Sequence, residues 1–137
     1  MTQIRTQFDL MRVLAQRLAG REVIVRMQTP KTTGSLGTLH INQDGIPVLT
    51  IMPYLDGLDT YLHECAHVRL HSKDMVPSDL DQAKPRAVTV SKAEKQPSWE
   101  LQADALRDHW LSYGRQHADP TLPDDEGILW ALMDYYR

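Results

Sequence analysis

Cysteine is nearly missing from this 137-residue chain: Cys65 stands alone, so no intramolecular disulfide framework is possible. That excludes a stapled mini-protein and fits a reducing, cytoplasmic compartment. Long apolar runs are also missing, and nothing approaches the roughly 20 residues that span a bilayer, so no membrane is expected. The opening MTQIRTQFDLMRVL mixes acid and base and lacks the uninterrupted apolar stretch of a signal peptide. Basic charge is not in excess either. Fifteen Lys and Arg face 18 Asp and Glu, a formal net charge of -3, which gives no electrostatic reason to hold a phosphate backbone. No nucleic-acid partner is expected. There are no internal repeats. What remains is an ordinary soluble composition, 42% hydrophobic and 24% charged, of a length that suits one domain over residues 1–137 with one core.

The apolar spacing predicts an α+β order. Ile4, Phe8, Met11, Leu14, Ala15 and Leu18 recur at helical spacing over 3–19, with Gly20 as a stop. REVIVRMQ alternates Val23, Val25 and Met27 against Glu22, Ile24 and Arg26, a strand ended by Thr29-Pro30. GSLGTLHINQDGIPVLTIMP reads as a hairpin turning at Asp44-Gly45, with Pro47–Met52 as the return strand. A helix capped by Asp56 or Asp59 then runs to about Ser72, with Leu58, Leu62, Cys65, Ala66 and Leu70 as its apolar positions. Residues 73–97 form a long proline-rich connection in which only RAVTV (86–90) resembles a strand. Ser98 caps a strong helix ending at Gly114, and Asp124 or Asp125 caps a last one, EGILWALMDYY.

The chemistry concentrates in TYLHECAHVRLH (60–71), which contains His63-Glu64-Cys65-Ala66-His67, an H-E-x-x-H pattern. With 6 His and 5 Glu in the chain, a shuffled sequence shows it roughly once in a hundred tries. On a helix, positions four apart nearly overlie, so His63 and His67 project from one face and can reach one ion. Zinc suits neutral imidazole nitrogen in tetrahedral geometry. Glu64 sits about 100° round from His63, placed to take a proton from water without occupying a ligand position. Cys65 falls opposite the two histidines and should face the core, neither ligand nor nucleophile.

A catalytic zinc needs a third protein ligand. The metzincin pattern would put a histidine at position 73, where Lys73 stands, so that class is excluded. His71 is one turn beyond His67, and three histidines along one helix span about 12 Å, too far for one ion. His71 is then a surface residue or a support for a ligand. On the later helix, Trp99, Ala103, Leu106, Trp110 and Tyr113 form an apolar stripe with Glu100 and Asp104 along its edge. Carboxylates drawn towards an interior are costly unless compensated. We therefore expect Glu100 as the third ligand and Asp104 as acceptor of a ligand-histidine N–H. The bland alternative is a solvated face helped by Arg107.

HECAHVRLH followed by ELQADALRDHWL resembles the gluzincin branch of zinc peptidases, closest to the ImmA/IrrE-like metallopeptidases. Their second motif, E-x-x-A-(N/D), is matched by Glu100-Leu101-Gln102-Ala103-Asp104, and the resemblance covers about residues 45–115. It implies a small zincin-like α+β domain: N-terminal helix, three-stranded sheet, H-E-x-x-H helix, then two C-terminal helices. It also implies a zinc-dependent endopeptidase whose partner is a protein substrate or regulator, such as a repressor. No attached DNA-binding or sensor domain is seen, and the connection between the motifs is long.

In this reading His63, His67 and Glu100 hold zinc and Glu64 acts as general base and acid. His109, Tyr113, Tyr135 and Tyr136 are the residue types available to stabilise an oxyanion, although His109 lies on the far side of its helix from Glu100. Val48–Met52 is open to two uses, as an edge for β-augmentation by substrate or as an internal strand. The connection 73–97 is open to three: disordered linker, lid or docking segment. Trp130, Tyr135 and Tyr136 are open to core or interface, with assignment to the core as the default. The rival to an enzyme is a non-catalytic zincin-fold module that binds a regulator, against which the intact Glu64 argues.

Overall fold

The computed structural model describes residues 4–27, 37–51, 57–75, 77 and 97–137. The strand expected at 86–90 and nearly all of the long connection lie outside these residues, as do Asp56 and Met52. The described chain is α+β, with four helices and one three-stranded mixed sheet.

Helix α1 (Gln7–Ala19) starts later than its apolar spacing suggested because Thr6 caps it. Thr6 Oγ1 accepts the Asp9 N–H at 3.1 Å, and the Thr6 N–H donates to Asp9 Oδ2 at 3.2 Å, a reciprocal capping box. Gly20, at φ 72°, ends the helix as expected, and its N–H bonds to the Gln16 carbonyl.

Strands β1 (Ile24–Met27), β2 (Gly37–Ile41) and β3 (Pro47–Ile51) lie in the order β1-β3-β2. β3 pairs parallel with β1, Val25 opposite Leu49, and antiparallel with β2, Leu39 opposite Leu49. The hairpin turn falls where Asp44-Gly45 placed it. Asn42 organises it, its Oδ1 accepting the N–H groups of Asp44 and Ile46. Both edges of β3 are occupied and all five of its residues are buried. It is an internal strand, which removes β-augmentation at 48–51 because both of its edges are taken; Met52 lies outside the described residues.

Helix α2 (Gly57–His71) continues into a 3₁₀ turn, Ser72–Asp74. It buries Tyr61, Leu62, Cys65, Ala66 and Val68, and the Tyr61 hydroxyl donates to the Met11 carbonyl of α1 at 2.7 Å. Leu70 does not join them and is 44% exposed. Two steps of four residues from Leu62 carry it about 80° round the helix, off the buried face.

Helix α3 (Pro97–His117) packs between α2 and α4 (Asp124–Tyr135). It does not stop at Gly114. A Cβ there would sit 2.5 Å from Ile128 Cγ2, so this glycine marks the close approach of α4 and not a helix end. Ser98 lies in the first turn of α3, not at its cap. Asp124 and Asp125 likewise lie in the first turn of α4, behind Pro123, where their charge complements the helix dipole. Tyr136 is half-buried and accepts the Trp110 indole N–H at 2.9 Å, but Trp130 and Tyr135 are exposed, contrary to their assignment to the core. The core gathers residues of all four helices and the sheet, with Leu14, Leu49, Leu62, Trp110 and Leu132 fully enclosed. Among the described residues no helix is long and apolar enough to cross a membrane.

Candidate metal centre

The facing sides of α2 and α3 carry the polar cluster. His63 and His67 stand one turn apart on α2, and their Nε2 atoms are 3.1 Å from each other. The first turn of α3 brings Glu100 across them, Oε1 2.9 Å from His67 Nε2 and Oε2 3.2 Å from His63 Nε2. Among the described residues these three form the donor cluster that is sized for a metal ion. Four ligands at 2.0–2.1 Å around a tetrahedral zinc stand about 3.3 Å from one another, the same scale as the 3.1 Å between the two Nε2 atoms and the 2.9 and 3.2 Å from each of them to a Glu100 oxygen, a different one for each.

The outward nitrogens decide which tautomers this cluster favours. His63 Nδ1 is 2.9 Å from Asp104 Oδ1, a close contact bent away from ideal hydrogen-bond geometry. A protonated Nδ1 is attracted to that carboxylate and a bare one is repelled, so Nε2 keeps its lone pair for the cluster. Asp104 is shared, since Arg107 Nη1 lies 3.1 Å from the same oxygen. Asp104 thus lies against both of the groups the sequence offered it, His63 and Arg107. On the other side, His67 Nδ1 is 3.0 Å from His71 Nδ1, and His71 Nε2 is 2.8 Å from Gln102 Oε1.

His67 is fully enclosed. Burial first, then the neighbouring His63 and His71, hold its pKa down, from 6.5 to about 3. A proton is thus a poor means of relieving two imidazole lone pairs and a carboxylate set 3 Å apart, and a metal cation is a good one. The donor types and their spacing fit zinc.

Glu64 is 8% exposed and lies next to His63 on α2. Cys65 points the other way, into the core, as expected. Burial and then the adjacent Glu64 carboxylate push its thiol pKa far up, leaving it inert as ligand or nucleophile. The four oxyanion candidates fare worse. At 1.5 Å per residue, His109 is about 14 Å and Tyr113 about 20 Å along α3 from Glu100. Tyr135 packs against Tyr113 with the rings tilted, and Tyr136 bonds to Trp110, which places both at that distant end as well.

His71, open in the sequence to a surface or a supporting position, is buried, with its Nδ1 3.0 Å from His67 Nδ1. Gln102 and Trp99 went unrecognised as its partners. Trp99 stacks on His71 with ring centroids 4.5 Å apart and planes 2° from parallel. The four-residue step from His67 to His71 was a usable signal; the pairing with α3 had none.

Comparison of the chain with family models, curated proteins and solved structures finds no match. The resemblance to gluzincins therefore rests on the two short motifs and on the cluster they form.

Proposed function

We propose that this protein is a zinc-dependent endopeptidase of gluzincin type, acting in the cytoplasm on a specific protein substrate such as a repressor or other regulator. The observation that carries the reading is the cluster of His63 Nε2 and His67 Nε2, 3.1 Å apart, with the two Glu100 carboxylate oxygens 3.2 and 2.9 Å from them, beside a buried Glu64. In this reading His63, His67 and Glu100 hold zinc, and Asp104 orients His63. Bound zinc supplies Lewis acidity, bringing water towards ionisation near neutral pH and polarising a scissile carbonyl. Glu64 accepts the proton that water gives up on attacking the carbonyl carbon and passes it to the departing amine nitrogen, so the peptide C–N bond breaks with no net proton change. Enclosure of His67 and the apolar packing behind α2 keep the imidazoles fixed, so the donors meet the ion without reorganising. The zincin-like assignment of the fold rests on the same helix pair.

The test is elemental analysis of protein purified without a metal-affinity tag, beside Glu100→Ala. Near one zinc per chain, with marked loss in the variant, is expected; no metal after zinc is offered overturns the reading. Glu64→Gln separates cutting from mere binding. It should keep the metal and lower proteolysis by about 10²–10⁴-fold, the usual contribution of a general base. Full biological function in E64Q would establish the non-catalytic binding module instead.

A further inference from the structure

The mechanism above uses two of the three histidines on α2 and leaves the third with the most elaborate surroundings. His71 is 3% exposed, although it lies near the C-terminal end of its helix. Each ring edge has a partner: Nδ1 meets His67 Nδ1 at 3.0 Å, and Nε2 meets Gln102 Oε1 at 2.8 Å. One ring face is covered by the parallel Trp99 indole. Two of those partners, Trp99 and Gln102, flank Glu100 in sequence on the first turns of α3.

Only one arrangement of protons satisfies every contact while leaving His67 Nε2 bare. His67 Nδ1–H donates to His71 Nδ1, and His71 Nε2–H donates to Gln102 Oε1. Reversing the chain would put the proton of His67 on Nε2, where a metal must bind. The amide oxygen of Gln102, an acceptor at the end of the chain, is oriented for the first arrangement.

We infer that His71, seated by Trp99 and Gln102, is the positioning residue that fixes the metal-binding tautomer and ring angle of His67. This assignment rests on the reading of His63, His67 and Glu100 as zinc ligands. It gives the site two supports of different chemistry: a carboxylate shared with an arginine on His63, and a neutral imidazole–amide relay on His67. It also ties ligand geometry to the docking of α3, because the turn that delivers Glu100 delivers the Trp99 and Gln102 contacts too.

The experiment measures zinc affinity of the full chain by chelator competition for wild type, His71→Ala, His71→Asn and His71→Gln, with the visible spectrum of the cobalt(II) form beside it. An asparagine carbonyl can occupy the place of His71 Nδ1 and accept the His67 proton; glutamine places its amide nearer the Nε2 position. H71A and H71Q should bind zinc about 10–100-fold more weakly, the usual loss when a ligand histidine loses its hydrogen-bond partner. H71N should stay within about threefold of wild type and keep the cobalt spectrum, since the acceptor is retained. If H71A does not fold, the comparison of H71N with H71Q carries the test. Zinc affinity of H71A equal to wild type, or H71N as weak as H71Q, overturns the positioning role while the metal site stands. Failure of the wild type itself to bind zinc is a separate result, which overturns the site.

Discussion

At the scale of single residues, the cluster works through what stands behind the ligands. Asp104 divides its charge between His63 Nδ1 at 2.9 Å and Arg107 Nη1 at 3.1 Å. Its side chain is 41% exposed, so the Arg107 pair adds little stability and the contact with His63 carries its importance. Asp104→Ala is expected to weaken zinc binding by about 10–100-fold with the fold intact. Asp104→Asn, which keeps an acceptor oxygen but no charge, should lose less. Chelator competition with circular dichroism on the same samples checks both, and unchanged affinity in D104A would mean that the carboxylate serves only Arg107. The placement of Asp104 beside the α2 histidines was legible from its spacing to Glu100, because both carboxylates lie on one helix face. The role of Gln102 was not, since nothing local distinguishes it from any other exposed helical glutamine.

At the scale of elements, the crossing of α3 and α4 shows how one small residue is misread. Glycine lowers helix propensity, so Gly114 looks like a terminus in sequence. In the fold it lies inside the helix, which runs on to His117, and the space its missing side chain leaves is filled by Ile128. Gly114→Ala poses a contest of two effects. Helix propensity alone favours alanine by about 1 kcal/mol. A Cβ 2.5 Å from Ile128 Cγ2, and 3.3 Å from the Ile128 Cα, forces the helices apart, a strain of about 1–3 kcal/mol. The backbone is involved, so strain is expected to win and urea unfolding should give a net loss of stability. Leu101→Ala on the same helix, at a site 69% exposed, is the control and should stay within about 0.5 kcal/mol of wild type. A stabilised G114A would show that α4 yields easily. Likewise, loss of the Thr6 capping box in Thr6→Ala should cost about 1 kcal/mol by the same measurement.

At the scale of the molecule, the cluster joins two helices that the chain separates by more than 20 residues. A ligand bound only when α2 and α3 are docked stabilises the whole fold by mass action. With free zinc at 100 times its Kd, the expected gain is about 2.7 kcal/mol, reversed by chelator and missing in Glu100→Ala. Denaturant unfolding with and without zinc measures it, and equal stability in both conditions would mean that the ion, if bound, meets the unfolded chain as well. β3 lies in the middle of the sheet, so its residues 47–51 offer no free edge to an added strand.

The sequence by itself determined what depends on near neighbours. Helical spacing put His63 and His67 on one face and Glu64 beside it, turn chemistry set the β2–β3 hairpin, and the Gly20 stop ended α1. Those outcomes follow from backbone periodicity and from residues within a few positions of one another. Tertiary structure decided the rest. It put β3 between β1 and β2, buried His71 under Trp99 against Gln102, exposed Leu70, Trp130 and Tyr135, and turned Gly114 from a stop into a contact. Each of these depends on which face meets which across a long stretch of chain. A local pattern gives the direction of a side chain on its own element; only packing fixes what that side chain meets.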